Sequence, residues 1–122
     1  MSVKAKNIEP ALFSLLEKPL RVVVTRAFDD HYSHEEKVLL VMNVFEALRD
    51  KPVDMLVAES NDNHIEIRSA GYGLKDNELD EKTVVLRIKE YFPVRKFWAK
   101  VDTIQDEYGE YYLLTLLFPE DY

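Results

Sequence analysis

The densest run of ionisable side chains is Asp29-Asp30-His31-Tyr32-Ser33-His34-Glu35-Glu36, two imidazoles and four carboxylates within eight residues. Neutral imidazole and ionised carboxylate suit divalent zinc, manganese, nickel or iron, which makes His31, His34 and Asp30 the candidate metal ligands. The two histidines straddle an expected helix start, so they need not share a face, and no H-E-x-x-H pattern accompanies them. The same residues also have a purely structural use. Acidic side chains and a serine cap stabilise a helix N-terminus through its dipole and its unpaired N–H groups.

Other chemistry is sparse. With no cysteine there is no disulfide, no thiolate nucleophile and no zinc or iron–sulfur cluster held by the chain's own thiolates. Gly71-Tyr72-Gly73 supplies only the first half of a phosphate-binding glycine pattern, and no G-x-S-x-G nucleophile elbow occurs. Paired carboxylates abound, as they must in an acidic chain. No catalytic set is expected from the sequence, and no cofactor.

Aromatic residues carry a stronger signal. Tyr91, Phe92, Phe97, Trp98, Tyr108, Tyr111, Tyr112, Phe118 and Tyr122 crowd the last third of the chain. Tyr and Trp suit binding surfaces because they bury much area yet keep a polar tip. On a strand, Phe97 and Trp98 point to opposite faces, as do Tyr111 and Tyr112, so one member of each pair can lie outside the core. Trp98, Tyr108, Tyr111 and Tyr112, with Glu107 and Glu110 beside them, are therefore the candidate partner contacts. Cross-strand aromatic pairing inside a core would use the same pattern.

The elements that position these residues follow from periodicity. Residues 10–18 are expected to be helical, with Pro10 in the first turn, Leu12, Leu15 and Leu16 on one side and Pro19 as the stop. Residues 20–25 are β-branched and apolar on both parities, the pattern of a strand covered on both faces. Residues 34–50 are the clearest helix. Ser33 and Glu36 form a capping box; Val38, Val41, Met42, Phe45 and Leu48 make an apolar stripe that Leu40, Val44 and Ala47 widen, and burial is its expected use over a partner surface. Two strands follow at 53–59 and 64–69 around the turn Ser60-Asn61-Asp62-Asn63, and the second has one wet face. Residues 75–81 read as a surface connection. Residues 83–92 alternate like a strand but also carry helical spacing; with Asp80 and Glu81 upstream and Pro93 after, helix is the preferred reading. A hairpin over 95–104 and 110–118 closes the chain, with Gly109 at its turn.

The order α, β, α, β, β, α, β, β in 122 residues fits one α+β domain over 1–122, with 1–8 as a flexible tail. The expected product is a two-layer sandwich, a mostly antiparallel sheet with helices on one face, in a ferredoxin-like variant. Leu20-Arg21-Val22-Val23-Val24-Thr25-Arg26-Ala27-Phe28, helix 34–50 and Val53-Asp54-Met55-Leu56-Val57 resemble the strand–loop–helix–strand unit of BolA-like proteins over about a third of the chain. That family's loop glycine and Arg-His-Arg are absent, Asp30 and Ser33-His34-Glu35 standing near those places. Its iron–sulfur and nucleic-acid roles therefore do not carry over.

Sixteen basic and 23 acidic residues leave a net charge of −7, with the deficit concentrated in the second half. Such a surface repels phosphate backbones, so nucleic acid is not an expected partner. No run approaches the length of a membrane span and the N-terminus lacks a signal-peptide core, which together suggest a cytoplasmic protein. The expected function is that of a small acidic protein-binding module (inhibitor, immunity-type, adaptor or chaperone-like) that works by surface complementarity, without catalysis, on a partner that is itself basic. The alternative is a small-ligand or divalent-metal protein, or an enzyme, built on the 29–36 cluster. A homo-oligomer closed through a sheet edge or helix 34–50 is compatible with either.

Overall fold

The computed structural model describes residues 3–4, 13–15, 18–62, 64–74, 84–89 and 92–122. These form strands β1 (Val3–Lys4), β2 (Phe13–Leu15) and β3 (Lys18–Thr25), helices α1 (Arg26–His31) and α2 (His34–Asp50), and strands β4 (Met55–Asn61), β5 (His64–Ser69), β6 (Val84–Lys89), β7 (Phe97–Asp106) and β8 (Gly109–Leu117). A short 3-10 turn, Pro119–Asp121, follows β8. The chain is an α+β protein built on one mixed sheet, in the order β1-β3-β8-β7-β4-β5-β6, with β2 also pairing β3. Only β3 and β8 pair in parallel; the other described ladders are antiparallel.

Helix α2 forms where its caps dictate. The Ser33 hydroxyl accepts the Glu36 N–H at 3.2 Å and the Glu36 carboxylate accepts the Ser33 N–H at 2.9 Å, the expected capping box. Leu40, Val41, Val44, Phe45, Ala47 and Leu48 turn into the core. Met42, expected in the buried stripe, points outward and is 57% exposed, and Leu39 is 41% exposed. The buried arc is centred on Val44, which puts position 42 outside it at about 100° per residue.

One hydrophobic core joins the inner side of α2 and Phe28 of α1 to one face of the sheet. The registers give that face row by row: Leu20 lies opposite Tyr112, Val22 opposite Leu114, Val24 opposite Leu116, then Leu116 opposite Ala99 and Ala99 opposite Leu56. Ala58, Ile65 and Ile67 extend it toward β5. This is the period-2 burial of a sheet with one fully covered face.

Two expected helices are overturned where they are described. Phe13–Leu15, within the expected helix 10–18, is a strand, and Lys18 belongs to β3; Phe13, Ser14 and Leu15 pair with Leu20, Pro19 and Lys18. Val84–Lys89, within the expected helix 83–92, is a strand antiparallel to β5, with a register shift at Ile67/Arg68. In both segments apolar residues fit either period, and pairing to an available sheet edge outweighs the local preference. A ferredoxin-like arrangement has a second crossover helix; the described part of that segment is strand. Val3–Lys4, in the expected tail, pairs with Thr25 and Val24. The rest of 1–8 and of 10–18, the 75–81 connection and Tyr91 lie outside the described residues.

Candidate binding face

The side chains of the opposite sheet face form the candidate site. Across β3, β8 and β7 one row reads Arg21, Leu113, Asp102; the next reads Val23, Thr115, Lys100 and, on β4, Met55; a third runs Leu117, Trp98, Val57 and, on β5, Arg68. Thr115, Leu117 and Val57 are buried under their neighbours, whereas Val23, Leu113, Trp98, Lys100 and Met55 are half-buried and Arg21 is exposed. Strand β3 was expected to be covered on both faces. It is fully covered on one, because Arg21 and Val23 face away from the helices.

Two aromatic stacks hold this face in shape. Trp98 stands in register between Leu117 and Val57, and the ring of Tyr122 meets it edge-on at 5.8 Å. The Lys100 ammonium lies 5.2 Å from the Tyr122 ring centre and 3.4 Å from the Asp102 carboxylate. Near the hairpin end, the Arg21 guanidinium lies 4.6 Å from the ring centre of Tyr111. A cation over an aromatic ring is attracted by the ring's negative face, so each stack orders a long side chain that solvent would otherwise leave mobile.

The hairpin tip carries the acid. Asp106, Glu107 and Glu110 are exposed around Tyr108, itself 87% exposed. The turn depends on Gly109, whose φ of +127° is open to glycine and strained for other residues. The Asp106 carboxylate accepts the Tyr108 N–H at 2.8 Å. Glu110 pairs with Lys18, and this partner raises the Lys18 pKa above its ordinary value.

The expected contact residues therefore divide. Trp98 and Tyr111, both half-buried, share the face turned away from α1 and α2, Tyr108, Glu107 and Glu110 sit at the tip, and Tyr112 is buried on the helix side. Arg21, Leu113, Lys100, Asp102 and Tyr122 complete the site without having been singled out from sequence. Parity relative to buried Phe97 and Tyr112 would have found the middle three; Arg21 and Tyr122 required the β3–β8 register and the fold of the C-terminus.

The 29–36 cluster does not converge. Asp29 pairs with Lys37, both nearly buried. His31 ends α1 with its ring edge-on to Tyr32 at 4.6 Å and to Phe118 at 5.4 Å, while Asp30 and His34 are exposed on different helices. Among the described residues no three His, Asp or Glu groups are placed to hold a metal ion. The face of β5 expected to be wet is not: His64 and Arg68 are half-buried there, and Glu66 is buried among Arg68 at 3.4 Å, Arg87 at 3.6 Å and His64 at 3.7 Å, a charge cluster that also ties Glu59 to Arg68 at 3.0 Å.

Comparison with protein-family models, with curated proteins and with solved structures finds no match to this chain. No described helix is long and apolar enough to cross a membrane.

Proposed function

We propose that this chain is a non-catalytic protein-binding module, in form a two-layer sandwich that docks a protein partner on the face of its sheet turned away from α1 and α2. One observation carries the reading: Trp98 and Tyr111 lie on that face, each held by a stacked neighbour, while their strand neighbours Phe97 and Tyr112 fill the core. Pre-ordered Trp, Tyr and Arg side chains make good anchors because little rotamer entropy remains to be lost on binding. The acidic tip, with Asp106, Glu107 and Glu110, favours a partner carrying basic groups beside its apolar patch and raises the rate of encounter.

The test is affinity capture from the cells that make the protein, with wild type and the Trp98→Ala/Tyr111→Ala variant side by side. A partner retained by wild type and lost by the variant is then titrated, and its association rate is expected to fall as salt rises. A partner that binds both forms equally overturns the sheet face as the docking site. An association rate indifferent to salt overturns the role of the tip.

A further inference from the structure

We infer that the outer side of α2 is a self-association surface on which a second copy of this chain packs antiparallel about a two-fold axis at Met42. At about 100° per residue, Glu35, Leu39, Met42, Glu46 and Arg49 fall on one narrow line along the helix, opposite the arc that enters the core. Leu39 and Met42 are 41% and 57% exposed, so two large apolar side chains stand mid-helix in water. Beside them lies a shallow open depression of about 210 Å³ bounded by apolar Leu39, Met42 and Phe45 and by polar Asn43, Glu46 and Arg49, of a kind that accepts a side chain from a facing helix.

Charge selects the occupant. Glu35 stands seven residues before Met42 and Arg49 seven residues after it. Both are exposed. An antiparallel two-fold through Met42 sets each Glu35 against the other copy's Arg49, about 10 Å along the axis on either side of the centre. A two-fold interface must be self-complementary, and opposite charges equidistant from an apolar centre meet that condition. Antiparallel helices also oppose their macrodipoles favourably. One helix face buries less area than a standard interface, so the association is weak and reversible.

Sedimentation velocity over a concentration series tests this. Wild type is expected to show a reversible monomer–dimer equilibrium. Met42→Glu, which sets two carboxylates on the axis at an exposed position, is expected to be monomeric with unchanged helicity. Arg49→Glu should weaken the dimer about tenfold, and Glu35→Arg/Arg49→Glu should restore it, because the swap re-creates both pairs. A wild type that stays monomeric at about millimolar concentration overturns the inference. So does a dimer that survives Met42→Glu. A dimer abolished by Met42→Glu but indifferent to the charge reversal, or not rescued by the swap, overturns the two-fold register.

Discussion

The Tyr32 hydroxyl accepts the backbone N–H of Arg95 at 3.0 Å, and the same hydroxyl donates to the Arg95 carbonyl at 3.4 Å across 63 residues of chain. Its ring packs against Phe28 at 4.9 Å and sits within reach of Phe92 and Phe118, so one residue between the two helices fixes the segment that leads into β7. Since β7 carries Trp98, this bond is a mechanical support of the proposed binding face.

Tyr32→Phe is expected to keep the ring and lose the bridge, costing about 1–2 kcal/mol and several degrees in Tm. Burial raises the Tyr32 pKa above its ordinary 10.0. The folded state thus holds this proton more tightly than the unfolded state, so its contribution to stability is complete below about pH 10 and is lost as pH rises through the folded value. Unfolding followed between neutral and strongly alkaline pH should show a steeper loss in wild type than in Tyr32→Phe. Equal slopes would contradict the assignment.

Lys37 is 5% exposed within an otherwise apolar helix face, with its ammonium on the Asp29 carboxylate. Lys37→Met leaves that nearly buried carboxylate without its cation and is expected to cost about 3 kcal/mol in urea unfolding. A loss no larger than a surface substitution would mean the pair is solvated.

Two glycines are needed for different reasons. A Cβ at position 71 would lie 2.0 Å from the Asp54 Oδ1 and 2.8 Å from the Met55 Cβ, and that same Oδ1 accepts the Tyr72 N–H at 2.8 Å. Gly71→Ala should cost about 2 kcal/mol or more through displaced packing at the start of β4. At Gly109 a Cβ meets nothing within 4 Å, so Gly109→Ala pays only for its backbone angle, about 1–3 kcal/mol. Denaturation midpoints of both variants should fall below that of wild type.

Asp121 latches the C-terminus: its Oδ2 accepts the Thr25 hydroxyl at 2.8 Å and the Phe118 N–H at 3.1 Å. Asp121→Ala leaves a donor on fully buried Thr25 and should cost about 1–2 kcal/mol. Hydrogen exchange should speed up at Phe118, and the fluorescence of Trp98 should shift as Tyr122 loosens over it. An unmoved spectrum would separate the latch from the face.

Much of this was legible along the chain because some signals are local. The Ser33/Glu36 box, the Gly109 turn and the alternation of Ile65 and Ile67 depend on neighbours within a few residues, and the structure has each in place. Phe13–Leu15 and Val84–Lys89 were misread because short apolar runs satisfy helical and strand periods alike, and only the free edges of β3 and β5 decide between them. Helix α1 was missed because a six-residue turn capped by Thr25 has too few positions to show a period. For the site, parity set Phe97 and Trp98, like Tyr111 and Tyr112, on opposite faces, but it left open which member of each pair was inside. That answer depends on the parallel ladder that sets Tyr112 beside Leu20.

That ladder also has a kinetic consequence. Strand β8 is the only described bridge between β1–β3 on one side and β7, β4, β5 and β6 on the other, and 92 residues separate Leu20 from Tyr112. During synthesis the β3 edge from Leu20 to Val24 emerges well before β8 and stays without that partner until β8 follows. Such an edge is a template for pairing with other chains. Among the described residues the two parts of the sheet are joined only when β8 slots between β3 and β7, a pairing of high sequence separation of the kind that slows folding.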